Sequence, residues 1–119
     1  MNPQYERQLK KGVLEMLVLN MLSREKMYGY QLIQTLKKES GEFFSLKEGT
    51  LYPILYRLED NGLAVSTWAA PEKGHSPKKY YEITDRGRQE LREQRLLWDE
   101  FSSNVFRLMA SSTQHTDRE

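Results

Sequence analysis

The sequence predicts a mainly α-helical fold that contains one small β-hairpin and ends in a long helix. Three observations support this prediction. Apolar residues recur at helical spacing in three successive segments of the first half of the chain. Between residues 63 and 83 the spacing changes to the alternation that is typical of strands, and helical spacing returns from residue 85. With 119 residues, 38% of them hydrophobic, the chain is long enough for one domain with a modest core.

The first predicted helix covers the apolar run from Val13 to Leu22. One stripe of apolar residues is enough to cover the core of a small domain. Here Val13, Met16 and Leu19 widen the apolar surface well beyond such a stripe. We therefore expect this helix to be buried on two sides, by its own core and by a second copy of the chain.

A break over residues 23–27 separates the first helix from the second. The second helix is predicted to start at Tyr28, because Tyr28, Leu32 and Leu36 share one face at helical spacing. It ends at Ser40, which is followed by a glycine.

The third predicted helix lies within residues 47–61, and a glycine then supplies its C-terminal stop. Ser45 and Glu48 have the spacing of a capping box at its start. Pro53 has no amide hydrogen to donate and fits best in the first turn of a helix. Either the regular helix therefore begins near Thr50, or its first turn is irregular.

The two faces of this third helix differ sharply. Its buried stripe consists of Leu51, Ile54, Leu55 and Leu58. Its outward face carries basic, hydroxyl and aromatic side chains: Lys47, Thr50, Tyr52, Tyr56 and Arg57. An apolar underside and a polar, aromatic outer face suit insertion into the major groove of DNA. We predict that these outward residues contact bases or phosphates.

Each of these contacts has an alternative. Tyr52 would instead pack under the hairpin. Arg57 would pair with Glu59 or Asp60. Lys47 and Thr50 would simply cap the helix.

The predicted hairpin consists of residues 63–68, a long tip, and Lys79–Ile83. Prolines and a glycine mark Ala69–Pro77 as the tip. An isolated hairpin is marginally stable, so we expect it to pack against the helices. Its basic residues are predicted to contact DNA phosphates or the minor groove: Lys73, His75, Lys78 and Lys79. The alternative is a solvated loop whose charge maintains solubility.

The final helix is predicted over residues 85–111, with Thr84–Asp85 as its N-terminal cap. Its apolar residues have a heptad-like spacing, and it is longer than one small core can cover. We therefore expect it to project and to pair with a second chain. Residues 112–119 are polar and are predicted to form a frayed tail. Three helices followed by a hairpin form a winged helix-turn-helix, so residues 1–84 are predicted to be a DNA-binding domain.

Composition and charge exclude several classes of protein. The chain has 18 basic and 17 acidic residues, so its net charge of +1 does not by itself identify a nucleic-acid binder. The absence of cysteine excludes disulfides and thiolate metal sites, and the two histidines are far apart. No catalytic motif and no apolar run of the roughly 18 residues of a membrane span is present. We expect a cytoplasmic, non-enzymatic protein without a cofactor or metal.

Four segments resemble one known family. The tract Gly49–Glu59 with Gly62–Leu63 resembles the recognition-helix signature of the PadR family of bacterial transcriptional regulators. Tyr28–Leu32 resembles the start of the second helix of that family, and Lys79–Thr84 the end of its wing. Arg86–Arg88 with Leu91 resembles the entry to its last helix. The resemblance covers about residues 10 to 109, and the length fits the family's short members with a single C-terminal helix.

This resemblance implies a homodimer that forms through the last and first helices. It also implies binding to a pseudo-palindromic operator on double-stranded DNA, usually to repress. In some members a tryptophan of the last helix lines a flat pore at the dimer axis, where planar aromatic molecules stack. Trp98 falls at that place, with Phe101 and Met16 as further walls of a pocket for a planar aromatic effector. The alternative is that Trp98 only fills the dimer seam.

One function from another class competes with this interpretation. A winged helix can bind a partner protein without sequence-specific contact to DNA, with its last helix as a scaffold. The nearly neutral net charge favours this protein-interaction module.

Overall fold

The computed structural model describes residues 3–117, with side chains to residue 111. The elements follow in the order α1 (Pro3–Arg24), β1 (Met27–Tyr28), α2 (Gly29–Glu39), α3 (Glu48–Asp60), β2 (Ala64–Trp68), β3 (Lys79–Ile83) and α4 (Asp85–Asp117). The predicted winged helix-turn-helix fold is confirmed: α2 and α3 form the helix pair, and β2 and β3 form the wing.

Helix α1 begins at Pro3 rather than at Val13. Proline is favourable in the first turn of a helix because its missing amide hydrogen would have no helical partner there. The polar residues that follow have good helix propensity, but they give no apolar pattern from which to predict a helix. Burial starts later, since Val18 and Leu19 are completely buried whereas Met16 is half-buried.

The sheet has three strands in the order β1-β3-β2, not the two strands that the sequence predicts. The extra strand is Met27–Tyr28, in the segment predicted as a break and a helix start. It pairs antiparallel with β3, with Met27 opposite Tyr81 and Tyr28 opposite Tyr80. Because neighbouring residues in a strand point to opposite faces, Met27 and Tyr81 lie on the inner face and Tyr28 and Tyr80 on the outer face.

The core lies between this inner face and the four helices. The stripe predicted for the third helix is confirmed, because its four residues are at most 4% exposed. The fully buried side chains come from every helix except α4 and from the sheet: Val18, Leu19, Leu22, Met27, Leu32, Leu51, Leu55, Leu58 and Tyr81. The recognition helix α3 is thus fixed from below by an apolar core that leaves its outward face free.

Helix α3 starts at Glu48, and Lys47 is its N-cap residue. The predicted capping box of Ser45 and Glu48 is therefore wrong, because the N-cap position lies two residues after Ser45. The first turn is regular: the amides of Thr50 and Leu51 donate to the Lys47 carbonyl at 3.0 and 2.9 Å. Pro53 lies in the second turn, where its missing amide removes one helical hydrogen bond.

Helix α4 starts directly after Thr84, whose Oγ1 accepts a 2.9 Å hydrogen bond from the amide of Gly87. It continues to Asp117, six residues beyond the end predicted at residue 111, and the frayed tail stays a prediction. No proline or glycine interrupts residues 112–117, so the helical backbone continues although these residues are polar. Residues 118–119 lie outside the described residues.

Most of α4 projects from the domain. Its 33 residues span about 50 Å, and the longest dimension of the molecule is 69 Å. Beyond Leu91, which is buried, its apolar side chains are exposed: Leu96, Leu97, Trp98, Phe101, Val105, Phe106, Leu108 and Met109.

Candidate nucleic-acid interface

The N-terminal part of α3 presents its polar side chains to solvent. Lys47 and Thr50 are exposed at the start of the helix, and Tyr56, nearly two turns after Thr50, is 52% exposed. The first amides of a helix and its positive dipole end attract phosphate groups. Lys47, Thr50 and Tyr56 are therefore each accessible as donors to phosphate or base edges.

Tyr52 belongs to the same helix but is held differently. Its ring is half-buried and packs against the core. Its hydroxyl lies against Gly29 at the start of α2, where a Cβ atom would be only 2.5 Å from the Tyr52 Oη. The ring centroids of Tyr52 and Tyr56 are 6.2 Å apart. Gly29 thus provides the space that positions Tyr52 at the junction of α2 and α3.

Arg57 does not lie with the exposed residues at the start of α3. Its Nε lies 3.6 Å from an Oε1 of Glu15 on α1, and both side chains are partly exposed. The acid that pairs with Arg57 is therefore neither Glu59 nor Asp60. Such a pair contributes little to stability, but it turns the guanidinium toward α1 and away from the N-terminal end of α3.

Glu59 joins the end of α3 to the wing. The Ser66 hydroxyl of β2 donates a 2.7 Å hydrogen bond to Glu59 Oε2. Tyr81 lies opposite Ser66 in the sheet and is 1% exposed. Its burial, with a contribution from the Glu59 charge, raises the pKa of Tyr81 to about 12. No local sequence signal pairs a residue at a helix end with a strand residue, so this contact was not predictable.

The basic residues of the wing fall into two groups. Lys73, His75 and Lys78 are exposed on or beside the tip, whereas Lys79 is half-buried in the first position of β3. The amide of Ala69 donates to the Lys78 carbonyl at 2.8 Å and closes the base of the tip. The wing thus presents three of its four predicted basic residues freely to solvent.

An open concavity of about 830 Å³ lies between the wing and the start of α2. Its lining includes Lys26, Tyr28, Gln31, Lys78 and Tyr80. Sequence reasoning missed Lys26 and Gln31, because a lysine in a short connection and a glutamine in a helix carry no pattern of their own. Tyr28 was predicted on the buried face of the second helix, but it is the half-buried last residue of β1.

The three residues predicted to hold a ligand lie together in a groove between α1 and α4. Met16, Trp98 and Phe101 line this groove of about 500 Å³. The rings of Trp98 and Phe101 are nearly parallel, with centroids 6.2 Å apart and an angle of 29° between their planes. Trp98 is 41% exposed in the single chain. The groove therefore offers a flat aromatic surface next to flexible apolar side chains.

The described part of the chain has neither a cluster of metal ligands nor a helix that could span a membrane. Among residues 3–117, no three acidic or histidine side chains cluster closely enough to hold a metal ion. None of the described helices combines the length and the apolar character that a membrane span requires.

The chain matches known proteins in sequence and in fold. Residues 18–93 match the model of the transcriptional regulator PadR-like family. The negative transcriptional regulator PadR of Bacillus subtilis is 35% identical over 82 residues, which are 68% of this chain and 44% of that protein. The chain thus spans less than half the length of this relative.

Solved structures agree with the sequence match. A PadR family regulator from Eggerthella lenta has 38% identity and a TM-score of 0.77, with 86% of each chain covered. Bacillus subtilis PadR, solved in complex with operator DNA, has 33% identity and a TM-score of 0.62, covering 69% of this chain and 47% of that one. The family model, the relatives and the winged fold together place this chain in the PadR-like family of transcriptional regulators.

Proposed function

We propose that this protein is a DNA-binding transcriptional repressor and not an enzyme. The observation that carries the proposal is the exposure of Lys47, Thr50 and Tyr56 on a recognition helix that lies beside a lysine-bearing wing. In a chain of this family, that pairing fits a helix in the major groove and a wing on the flanking backbone. The related Bacillus subtilis regulator was solved on operator DNA, which supports the same use of the fold here.

The protein is proposed to act as a homodimer in the cytoplasm. The support is the row of apolar side chains that α4 exposes beyond the core, which includes Leu97 at 66% and Phe101 at 59% exposure. Contiguous apolar surface of this kind marks an interaction site, and α1 lies beside it with half-buried Val13 and Met16. Two recognition helices related by a two-fold axis would then match a pseudo-palindromic operator with half-sites about one helical turn apart.

A small planar aromatic molecule is the proposed effector. The stacked rings of Trp98 and Phe101, with Met16 opposite, suit a flat guest. Since α4 and α1 would also form the dimer interface, a guest between them would change the distance between the two recognition helices. The guest would then release DNA by favouring the spacing that does not match the operator.

A footprint on the DNA upstream of the gene that encodes the chain, with a salt titration, tests the proposed function. We expect one protected site with internal two-fold symmetry and an affinity that falls steeply between low and moderate salt. The Lys73→Gln and Lys78→Gln variants should each lower the salt dependence. If the chain has no measurable affinity for DNA even at low salt, the repressor is excluded and the protein-interaction module takes its place.

The effector is tested separately by titration of planar aromatic dyes. Trp98 fluorescence should be quenched on binding, and the affinity for the footprinted DNA should fall when the dye is bound. Trp98→Leu, which keeps an apolar side chain in the seam, is the matched variant and should lose dye binding. Equal affinity for DNA with and without bound dye would overturn the effector proposal.

A further inference from the structure

We propose that the concavity between α2 and the wing is a second contact surface for the DNA phosphate backbone, in which Lys26 and Lys78 hold one strand. The proposal rests on the DNA-binding function proposed above. It adds a surface outside the recognition helix and outside the wing tip, and it assigns a role to Lys26, which lies between α1 and β1.

Two lysines from distant parts of the chain converge on one pair of tyrosines. The Nζ of Lys78 lies 4.5 Å from the ring centroid of Tyr28, and the Nζ of Lys26 lies 5.6 Å from the ring centroid of Tyr80. The two rings contact each other edge to face, with centroids 5.3 Å apart. The two tyrosines are directly opposite in the β1–β3 register, so they share one face of the sheet, the outer one.

This arrangement prepares the lysines for an anion. Both are exposed, so their charges remain available to a ligand, while the half-buried rings beneath them limit their motion. Contact between an ammonium group and an aromatic ring is attractive, and ordering a long side chain before binding lowers the entropy cost of binding. Glu25 is the one acid in the lining, against the two lysines, so the surface favours a negatively charged ligand.

The position of the concavity favours a DNA strand over a small anion. Tyr28 directly precedes Gly29, against which Tyr52 of the recognition helix rests. The concavity therefore starts one residue from this contact and extends from the start of α2 to the wing, without a lining residue from α3 itself, and it is open rather than enclosed. A backbone that contacts both elements would cross it. Gln31 and the tyrosine hydroxyls offer further donors to phosphate oxygens along that path.

The salt dependence of DNA binding tests the proposal. Each phosphate contact contributes roughly 0.9 to the slope of log affinity against log salt concentration. We expect Lys26→Gln to lower this slope by about one on the footprinted DNA and equally on DNA of unrelated sequence, because phosphate contacts carry no sequence information. Lys38→Gln is the matched control: Lys38 is exposed in the last turn of α2, at the far end from the concavity. It should leave the slope unchanged.

A second variant separates the effect of positioning the lysines from the effect of their charge. Tyr28→Leu keeps both lysines but removes the ring under Lys78, so the affinity should fall about two- to fivefold with an unchanged slope. Thermal unfolding checks that each variant is folded. If the wild-type protein and Lys26→Gln have the same slope while Lys47→Gln lowers it, DNA does not cross the concavity and this proposal is wrong, although the repressor stands. If the wild-type protein binds no DNA, the proposed function fails first.

Discussion

Gly87 is the glycine at which an added methyl group should lower the stability of this fold most. It occupies the first turn of α4, and a Cβ atom there would lie 2.1 Å from the carbonyl oxygen of Leu63 and 2.7 Å from Cγ1 of Ile83. Real Cβ contacts do not fall below 3.0 Å, so the helix has to retreat by 0.9 Å, the difference between 3.0 and 2.1 Å. The obstacle is backbone, so no side-chain rotation relieves it.

That retreat also affects the cap of α4. The Thr84 hydroxyl accepts from the Gly87 amide and donates to the Gly62 carbonyl at 2.7 Å, while the Thr84 amide donates to Leu63. Overpacking costs about 1–3 kcal/mol, and loss of a cap about 1 kcal/mol. The better helix propensity of alanine offsets about 1 kcal/mol. Gly87→Ala should therefore lower the free energy of unfolding by about 1–3 kcal/mol.

Urea unfolding at one fixed protein concentration measures this change, because the stability of the proposed dimer would depend on concentration. Gly49→Ala is the matched control, since Gly49 is also helical and a Cβ atom there meets nothing within 4 Å. The control should unfold at the same or a higher urea concentration than the wild-type protein. If Gly87→Ala were as stable as Gly49→Ala, the packing argument at the α4 junction would be refuted.

Three further predictions concern contacts that the recognition helix and the wing make with their neighbours. Ser66→Ala should lower the free energy of unfolding by about 1–2 kcal/mol, because it leaves Glu59 without its hydrogen bond. Thr67→Ala, on the exposed face of the same strand, should leave the free energy of unfolding nearly unchanged. Urea unfolding of both variants measures the difference. The pKa of Tyr81, raised to about 12, means that the unfolded chain loses this proton before the folded one, so stability should fall as the pH rises from about 10 toward 12. Thermal unfolding over that range should show a smaller decline for Tyr81→Phe, and equal declines would contradict the burial argument. Arg57→Gln should leave the salt dependence of DNA binding unchanged, since the guanidinium faces α1; a slope lower by about one would restore Arg57 as a phosphate contact.

The sequence predicted a residue's role correctly where that role follows from the local spacing of apolar residues. The stripe of Leu51, Ile54, Leu55 and Leu58 was predicted and is buried, because helical spacing alone places these residues on one face. It failed where no period exists. A strand as short as Met27–Tyr28 contains no alternation to detect, and the polar starts and ends of α1 and α4 show no apolar spacing.

The candidate site divides in the same way. Residue type and local spacing indicated a helix with a polar outer face and a basic wing, and the family resemblance pointed to Trp98 and Phe101. Only the tertiary structure decided which of these residues act together. It turned Arg57 toward Glu15, seated Tyr52 on Gly29, and brought Lys26 to the same tyrosine pair as Lys78. The physical reason is that such contacts join segments far apart in the chain, and their geometry is set by the packing of the whole core.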